Sequence, residues 1–315
     1  MQMHQLNYFV AVAETRHFTQ AADEIGIAQP SLSQQIRALE RDVGSPLFNR
    51  VRGNLTLTDA GEILLPIARR ILADAETARL EIRELGDLRR GRVRLGATPS
   101  LCTGLLPPML AAFRSAYPGI QLLVRESGSR DLQRSLGEGA LDLALVIDSR
   151  LRADDPQLPL LLSVPLLEEE LVVISPRDTP ALTRRRRISI AELEGLPLVM
   201  FREGYDLRDA TIAACHAAGF EPTYAVEGGE MDAVLEFVHA GLGLAIVPST
   251  VVRDRFRATP FMPPGLHRTV RLARRRDVRL PRAAAALQES IVGFLANASE
   301  AGELPPGVRV KKSAH

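Results

Sequence analysis

Residues 18–48 read FTQAADEIGIAQPSLSQQIRALERDVGSPLF, and this stretch decides the fold of the amino-terminal part. It predicts two short amphipathic helices on either side of a glycine-containing turn, which is the sequence form of a helix-turn-helix. Gly26 lies where the first helix must end, and Pro30 suits the first position of the second. Apolar or small residues recur at helical spacing along the first helix: Phe18, Ala21, Ala22 and Ile25.

The second helix has one apolar stripe and one polar face. Leu32, Ile36 and Leu39 form the stripe, so the opposite face points away from the core. That outward face is short and hydrogen-bonding, as a helix that enters a DNA major groove requires, and it holds Pro30, Ser33, Gln34, Arg37 and Arg41. A solvated helical hairpin in an ordinary helical domain is the alternative interpretation.

Further motifs follow in a fixed order. They are FTxAA at 18–22, QPSLSxQI at 29–36, LE at 39–40, LFxR at 47–50 and LTxAG at 57–61. Their order and spacing resemble the LysR-type transcriptional regulators. The resemblance is dense over the amino-terminal fifth of the chain and continues more loosely to about residue 297.

The resemblance implies a multidomain fold: an all-α winged helix-turn-helix with a long linker helix, then an α/β two-lobed periplasmic-binding-protein-like effector domain. The implied partners are double-stranded promoter DNA, a small-molecule effector, a second copy of the chain and, as a further candidate, RNA polymerase. The implied DNA-binding residues lie on the recognition helix and at the wing: Gln29, Pro30, Ser31, Ser33, Gln34 and Arg37, then Arg50 and Arg52.

Composition is that of an ordinary globular protein. Of 315 residues, 46% are hydrophobic and 24% charged, and the net charge is +1. The amino terminus lacks a basic segment followed by an apolar run, and no apolar stretch is long enough for a membrane span, so we expect a cytoplasmic, nucleoid-associated protein and no membrane partner. This expectation disfavours an exported solute-binding protein, the main alternative. Residues 1–57 hold as many arginines as acidic residues, so a DNA-binding domain must collect its cations on one face.

The segment from Asp59 to about Arg90 predicts one long helix with a seven-residue repeat. The repeat favours a partner helix and hence a homodimer, and it leaves open whether dimers join into tetramers through the effector domains. Packing of the helix against its own domain is the alternative. The predicted dimerisation positions are Ala68, Ile71, Ala75, Ala78, Ile82 and Leu85.

From residue 92 onwards, short β runs alternate with helical patterns, which favours parallel α/β sheets. Segments near 160–168 and 262–270 should carry the chain from a first lobe to a second and back, leaving a cleft between them. The predicted domains are 1–58 (DNA binding), 59–90 (linker helix), 91–297 (effector binding; lobe I about 91–162 and 268–297, lobe II about 163–267) and 298–315 (disordered tail). Strands are predicted at 93–97, 120–126, 141–147, 171–175, 198–201, 224–227, 244–247 and 269–272, and helices near 104–116, 129–136, 206–218, 230–240 and 282–297.

Residues 97–104 end a strand and open a helix, a place that favours a carboxylate or other anion. Helix capping by Thr98 and Ser100 is the alternative. By resemblance, Thr98, Ser100 and Ser129 line the first lobe and Phe201, Arg202 and Gly204 the second. Arg202 would suit an acidic effector. Three nearby acidic residues would instead suit a polar or cationic one: Glu203, Asp206 and Glu227.

The two cysteines, Cys102 and Cys215, are expected to be reduced buried thiols. Residues 204–215 resemble the sensing segment of peroxide-responsive members of the family, in which a reactive cysteine occupies the position of Asp206 and a resolving cysteine that of Cys215. Because the reactive thiol is missing, disulfide chemistry of that kind lacks its first step. The sequence holds no nucleophile, metal-ligand or phosphate-loop motif and its six histidines are scattered, so we expect no catalytic residue, no metal, no cofactor and no enzymatic activity.

Overall fold

The computed structural model describes residues 1–51, 54–83, 91–148, 160–177 and 186–311. The chain divides into two compact units, Met1–Asp87 with Ser135–Ala140 and Leu88–Arg134 with Leu141–His315. Among the helices of the described ranges, none combines the length and the apolarity needed to cross a membrane.

The first unit is the predicted winged helix-turn-helix. Its elements are α1 (Met3–Thr15), α2 (Phe18–Ile25), α3 (Gln29–Val43), the hairpin of β1 (Phe48–Val51) and β2 (Asn54–Leu57), and α4 (Asp59–Arg83). Gly26 ends α2 in the left-handed conformation at φ 77°, which reverses the chain before α3 begins. The apolar stripes predicted for both helices face one core, in which Ala21 and Ala22 are buried with Leu32, Ile36 and Leu39.

Helix α4 is described as far as Arg83, so Leu85 and the end of the predicted linker lie outside the described residues. We refer to the predicted dimerisation positions of α4 as the predicted seam. The structure does not place Ala68 at an exposed position of this seam. It is fully buried in the core of its own unit, where its small side chain lets α4 pack against α1. Ile82, by contrast, is 68% exposed.

The second unit has two cores. The first is built on three parallel strands, β3 (Gly91–Ala97), β4 (Ile120–Glu126) and β5 (Leu143–Ile147), in the order β4-β3-β5. Its helices are α5 (Pro99–Thr103), α6 (Leu106–Ala116), α7 (Ser129–Gly137) as far as Arg134, and α10 (Arg282–Ala301). The second core holds the parallel pair β7 (Pro197–Met200) and β8 (Thr223–Glu227), with α8 (Asp206–Ala217), α9 (Met231–His239), β9 (Ala245–Pro248) and β10 (Phe256–Pro260).

Two long antiparallel strands join the cores. They are β6 (Leu161–Pro176) and β11 (Leu266–Arg275), and residues of both strands contribute to both cores. The prediction of parallel sheets is therefore wrong for this part of the fold: β6 pairs antiparallel with β9, β10 and β11. A strand that carries the chain out to the second core and one that carries it back must run in opposite directions. The first half of β6 was not predicted as a strand, because the polar run Glu168–Glu170 interrupts the apolar pattern.

The prediction of a disordered tail from residue 298 is wrong for the described residues 298–311. Helix α10 continues to Ala301, and Gly302 ends it at φ 70°. Strand β12 (Val308–Val310) then pairs antiparallel with β6, opposite Glu169, Glu168 and Leu167. The Gly/Pro-rich composition of the tail does not predict this strand. Its Val308 and Val310 pack on the first core, and Arg309 between them is exposed.

Candidate DNA-binding and effector-binding sites

The outer face of α3 presents the predicted DNA-binding residues of the recognition helix to solvent. Gln29, Pro30, Ser31, Gln34 and Arg37 are exposed, and we refer to these five as the recognition face. Ser33 is half-buried, and its Oγ accepts a hydrogen bond of 3.0 Å from Gln29 Nε2. The side chain of Arg50 and the whole of Arg52 lie outside the described residues.

The acidic residues of α3 are held away from the recognition face. Glu40 Oε1 accepts a 3.0 Å hydrogen bond from the backbone N–H of Leu47, at the start of the hairpin. Asp42 pairs with the amino group of Met1 at 2.8 Å, which lowers the pKa of its carboxyl. The negative charges of this helix therefore serve contacts at its carboxyl-terminal end, while Arg37 stays exposed at its centre.

Thr98 and Ser100 lie at the end of β3, as predicted, but both are buried. The side chain of Thr98 makes no capping hydrogen bond to α5, so the capping interpretation does not account for it. Ser100 Oγ instead accepts a 2.9 Å hydrogen bond from Nη2 of Arg268 and lies 3.4 Å from Thr98 Oγ1.

Arg268 belongs to a buried ion pair that the sequence analysis missed. Its Nη2 lies 2.7 Å from Oε2 of Glu169, its register partner on β6, and the hydroxyl of Thr250 donates to the same carboxylate. Glu169 is 0% exposed, so its charge depends on these two donors. The signal in the sequence was a run of three glutamates, Glu168–Glu170, at the end of the segment near 160–168 that is predicted to cross between lobes.

A second contact joins the two cores. Ser129, the first residue of α7, donates a 2.6 Å hydrogen bond to Oδ2 of Asp206, the first residue of α8, and accepts one of 3.0 Å from the N–H of Ile147. Burial raises the pKa of Asp206, while the Ser129 hydrogen bond and the charge of Arg268 act against that rise. Both hydrogen-bonding functions of the Ser129 hydroxyl are thus used.

The predicted second-lobe residues follow β7. Phe201 is buried, and its ring stacks on Tyr205 at 4.6 Å and 12°. Exposed Arg202 is already paired, with its Nε 2.5 Å from Glu230 Oε1. Gly204 turns the chain at φ 76° into α8.

Both cysteines are free thiols. Burial, aided by the neighbouring carboxylate of Glu126, raises the pKa of Cys102 to about 12. Burial also raises the pKa of Cys215, which is 0% exposed. Neither environment favours the thiolate form that peroxide and disulfide chemistry need.

A helix-turn-helix with an exposed recognition face and a two-core α/β domain define the class of ligand-controlled DNA-binding proteins. Residues 3–62 match the family model of bacterial regulatory helix-turn-helix proteins of the lysR family, and residues 86–296 match the LysR substrate binding domain. The chain belongs to the LysR family of DNA-binding transcriptional regulators.

Known relatives agree with this assignment. The hydrogen peroxide-inducible genes activator of Dickeya chrysanthemi is 30% identical, with 87% of this chain and 90% of that protein covered. A full-length OxyR from Pseudomonas aeruginosa with a cysteine-to-aspartate substitution superposes with a TM-score of 0.70 at 27% identity, covering 92% of this chain and 94% of that one. Full-length CbnR in complex with its target DNA gives a TM-score of 0.66 at 26% identity, covering 92% and 99%.

Proposed function

We propose that this regulator binds promoter DNA through the recognition face of α3, which Ser33 supports. At the wing, Arg50 and Arg52 would contact the phosphate backbone of the DNA. The observation that carries the proposal is the exposure of Gln34 and Arg37 on a helix whose opposite face is fully buried. Amide and guanidinium groups match the hydrogen-bonding edges of adenine and guanine in the major groove. The solved complex of CbnR with its target DNA supports this role for the corresponding domain.

Control by a small molecule is proposed for the junction of the two cores, bounded by Thr98, Ser100, Ser129, Phe201, Arg202 and Gly204. Effector binding would favour one arrangement of the lobes and so change DNA affinity, and by linkage DNA would change effector affinity by the same factor.

We propose DNA-binding, linker and effector-binding domains at 1–58, 59–90 and 91–297, with residues 298–311 completing the first core. RNA polymerase is the further proposed partner; a cytoplasmic location and the absence of enzymatic activity complete the proposal.

Self-association is proposed to use the exposed side of α4. Ala78 and Ile82 lie on this side, and Ile71 and Ala75 are half-buried on the same predicted seam, which would continue to Leu85. A dimer can hold two recognition helices one DNA turn apart, roughly 34 Å, as a two-fold site requires.

The test is a gel-shift titration of the full chain on the DNA upstream of its own gene, at fixed salt and with random DNA as competitor. We expect a discrete, competitor-resistant complex. Gln34→Ala should weaken it by about 1–3 kcal/mol and leave random-DNA binding nearly unchanged. Gln121→Ala, which removes an exposed glutamine from the effector domain, should bind like the parent. An equal loss by Gln34→Ala on both DNAs would remove Gln34 as a base-reading residue.

A further inference from the structure

Three carboxylates from both cores lie near α5. Glu126 ends β4 in register with Ala97, the residue before Thr98, and therefore lies beside the start of α5. Helix α5 packs against α9; Glu230 immediately precedes α9, and Asp232 lies in its first turn. Thr103 Oγ1 lies 3.3 Å from Oδ1 of Asp232 across this contact. We call Glu126, Glu230 and Asp232 the acidic rim.

Glu126 is repelled by the other two members of the acidic rim. Burial is the largest cause that raises the pKa of Glu126, and the charges of Glu230 and then Asp232 raise it further. A cation placed among these groups would favour the ionised carboxylates and remove the repulsion.

Two buried polar atoms, one in the second core and one in the acidic rim, have no hydrogen-bond partner among the described residues. One is the hydroxyl of Tyr205, whose side chain belongs to a residue only 3% exposed. The other is Oε2 of Glu230, the carboxylate oxygen that Arg202 does not use. The charges that act on the Tyr205 hydroxyl come from Arg268 and from three carboxylates, Glu230, Asp206 and Glu126. Buried polar atoms are normally paired. The Glu230 oxygen lacks a donor, and the Tyr205 hydroxyl, which can accept as well as donate, has an acceptor position for the same kind of group.

The positive charges that an anion would need are already engaged. Arg268 is neutralised by buried Glu169 and also donates to Ser100, and Arg202 is paired with Glu230. The hydroxyl of Ser129 already donates its hydrogen bond to Asp206. In this arrangement, the two arginines are therefore already committed to carboxylates of the protein and do not add an uncompensated positive charge for an anion.

We propose that the effector is an organic ammonium compound held by the acidic rim and the Tyr205 hydroxyl. This inference rests on the proposed effector control and names the ligand class of the same junction. A primary ammonium group has three N–H donors, which can serve Tyr205 Oη, Glu230 Oε2 and one oxygen of Glu126. Within the described ranges, no group of three His, Cys, Asp or Glu side chains is placed to hold a metal ion.

The experiment is calorimetric titration of the full chain with putrescine, a four-carbon diamine, at fixed ionic strength. Succinate and the four-carbon diol serve as probes of equal length with negative and zero charge. We expect saturable binding of putrescine alone. Glu126→Gln and Glu230→Gln should each weaken it about tenfold or more. Glu236→Gln is the matched control. It removes an exposed glutamate from α9, the helix that also holds Asp232 of the acidic rim, and Glu236 itself pairs with Arg255.

Tyr205→Phe keeps the ring and removes only the hydroxyl, so it tests the site if a glutamine variant fails to fold. Binding of succinate instead of putrescine, no binding of either, or equal losses in Glu126→Gln and Glu236→Gln would overturn the inference. Gel shifts of the same variants test the regulator function separately from the ligand class. A variant that keeps its DNA complex while putrescine does not bind overturns the ligand class and leaves the regulator function standing.

Discussion

At the scale of single residues, Asp206 is the position where burial and charge oppose each other most directly. Its carboxylate accepts a hydrogen bond from Ser129 across the two cores, yet burial raises its pKa. The folded state therefore binds the proton more tightly than the unfolded state does. Its negative charge opposes folding at pH above the folded pKa, and this cost disappears as the pH falls below the unfolded value of about 3.9.

Asp206→Asn removes the charge and keeps an oxygen acceptor for Ser129. We expect a higher melting temperature than the parent at neutral pH, with a difference that shrinks as the pH is lowered into the ordinary aspartate range. Thermal denaturation of both proteins across a pH series measures it, and Asp254→Asn, on an exposed loop, is the control. A variant less stable than the parent at neutral pH would mean that attraction to Arg268 exceeds the cost of burial.

At the scale of elements, β12 distinguishes an ordered tail from a disordered one. Val308 is buried on the first core, while its neighbour Arg309 is exposed on the same short strand. Val308→Ala should lower the free energy of unfolding by about 1–3 kcal/mol through lost apolar burial. Arg309→Ala should change it little, since surface substitutions usually stay within about 0.5 kcal/mol. Chemical denaturation compares the two, and equal, negligible effects would contradict the pairing of β12 with β6.

Helix α4 carries a second prediction at this scale. Ile82 lies on the predicted seam and Ile63 off it, and both are 68% exposed. Ile82→Glu should convert dimers to monomers, because a charge buried between two helices is strongly unfavourable. Ile63→Glu introduces the same charge at equal exposure and should leave the dimer intact. Sedimentation equilibrium measures the mass of each variant; dissociation by Ile63→Glu alone would place the seam on another side of α4.

Sequence patterns predicted those features that local periodicity determines. The helix-turn-helix, the helices of the effector domain and β4 follow from apolar spacing within a few residues, and β4 has its predicted limits of Ile120 and Glu126. The network behind the candidate site could not be predicted in this way, since Glu169 and Arg268 are 99 residues apart and meet only when β6 and β11 pair. Burial of Thr98, Ser100 and Ser129 likewise depends on both cores being in place.

At the scale of the whole molecule, the likeness to hydrogen peroxide-inducible activators raises the question of what this regulator responds to. Its fold is that of the family, but the resemblance of residues 204–215 to the sensing segment assigns Asp206 to the reactive position, and a carboxylate has no redox chemistry with peroxide. The two thiols that remain are Cys102 and Cys215, and burial raises the pKa of both. A response to peroxide through a thiolate therefore has no starting group.

We expect hydrogen peroxide to leave the affinity for promoter DNA unchanged and to form no intramolecular disulfide. Gel shifts before and after treatment, with intact mass measured under non-reducing conditions, check both outcomes. Asp206→Cys is the informative variant, because it places a thiol at the position that the resemblance assigns to the reactive cysteine, nine positions before Cys215. If the parent already responds, and Cys215→Ser abolishes the response, the buried thiol must become accessible in solution, and opening of the second core would then be part of the signal.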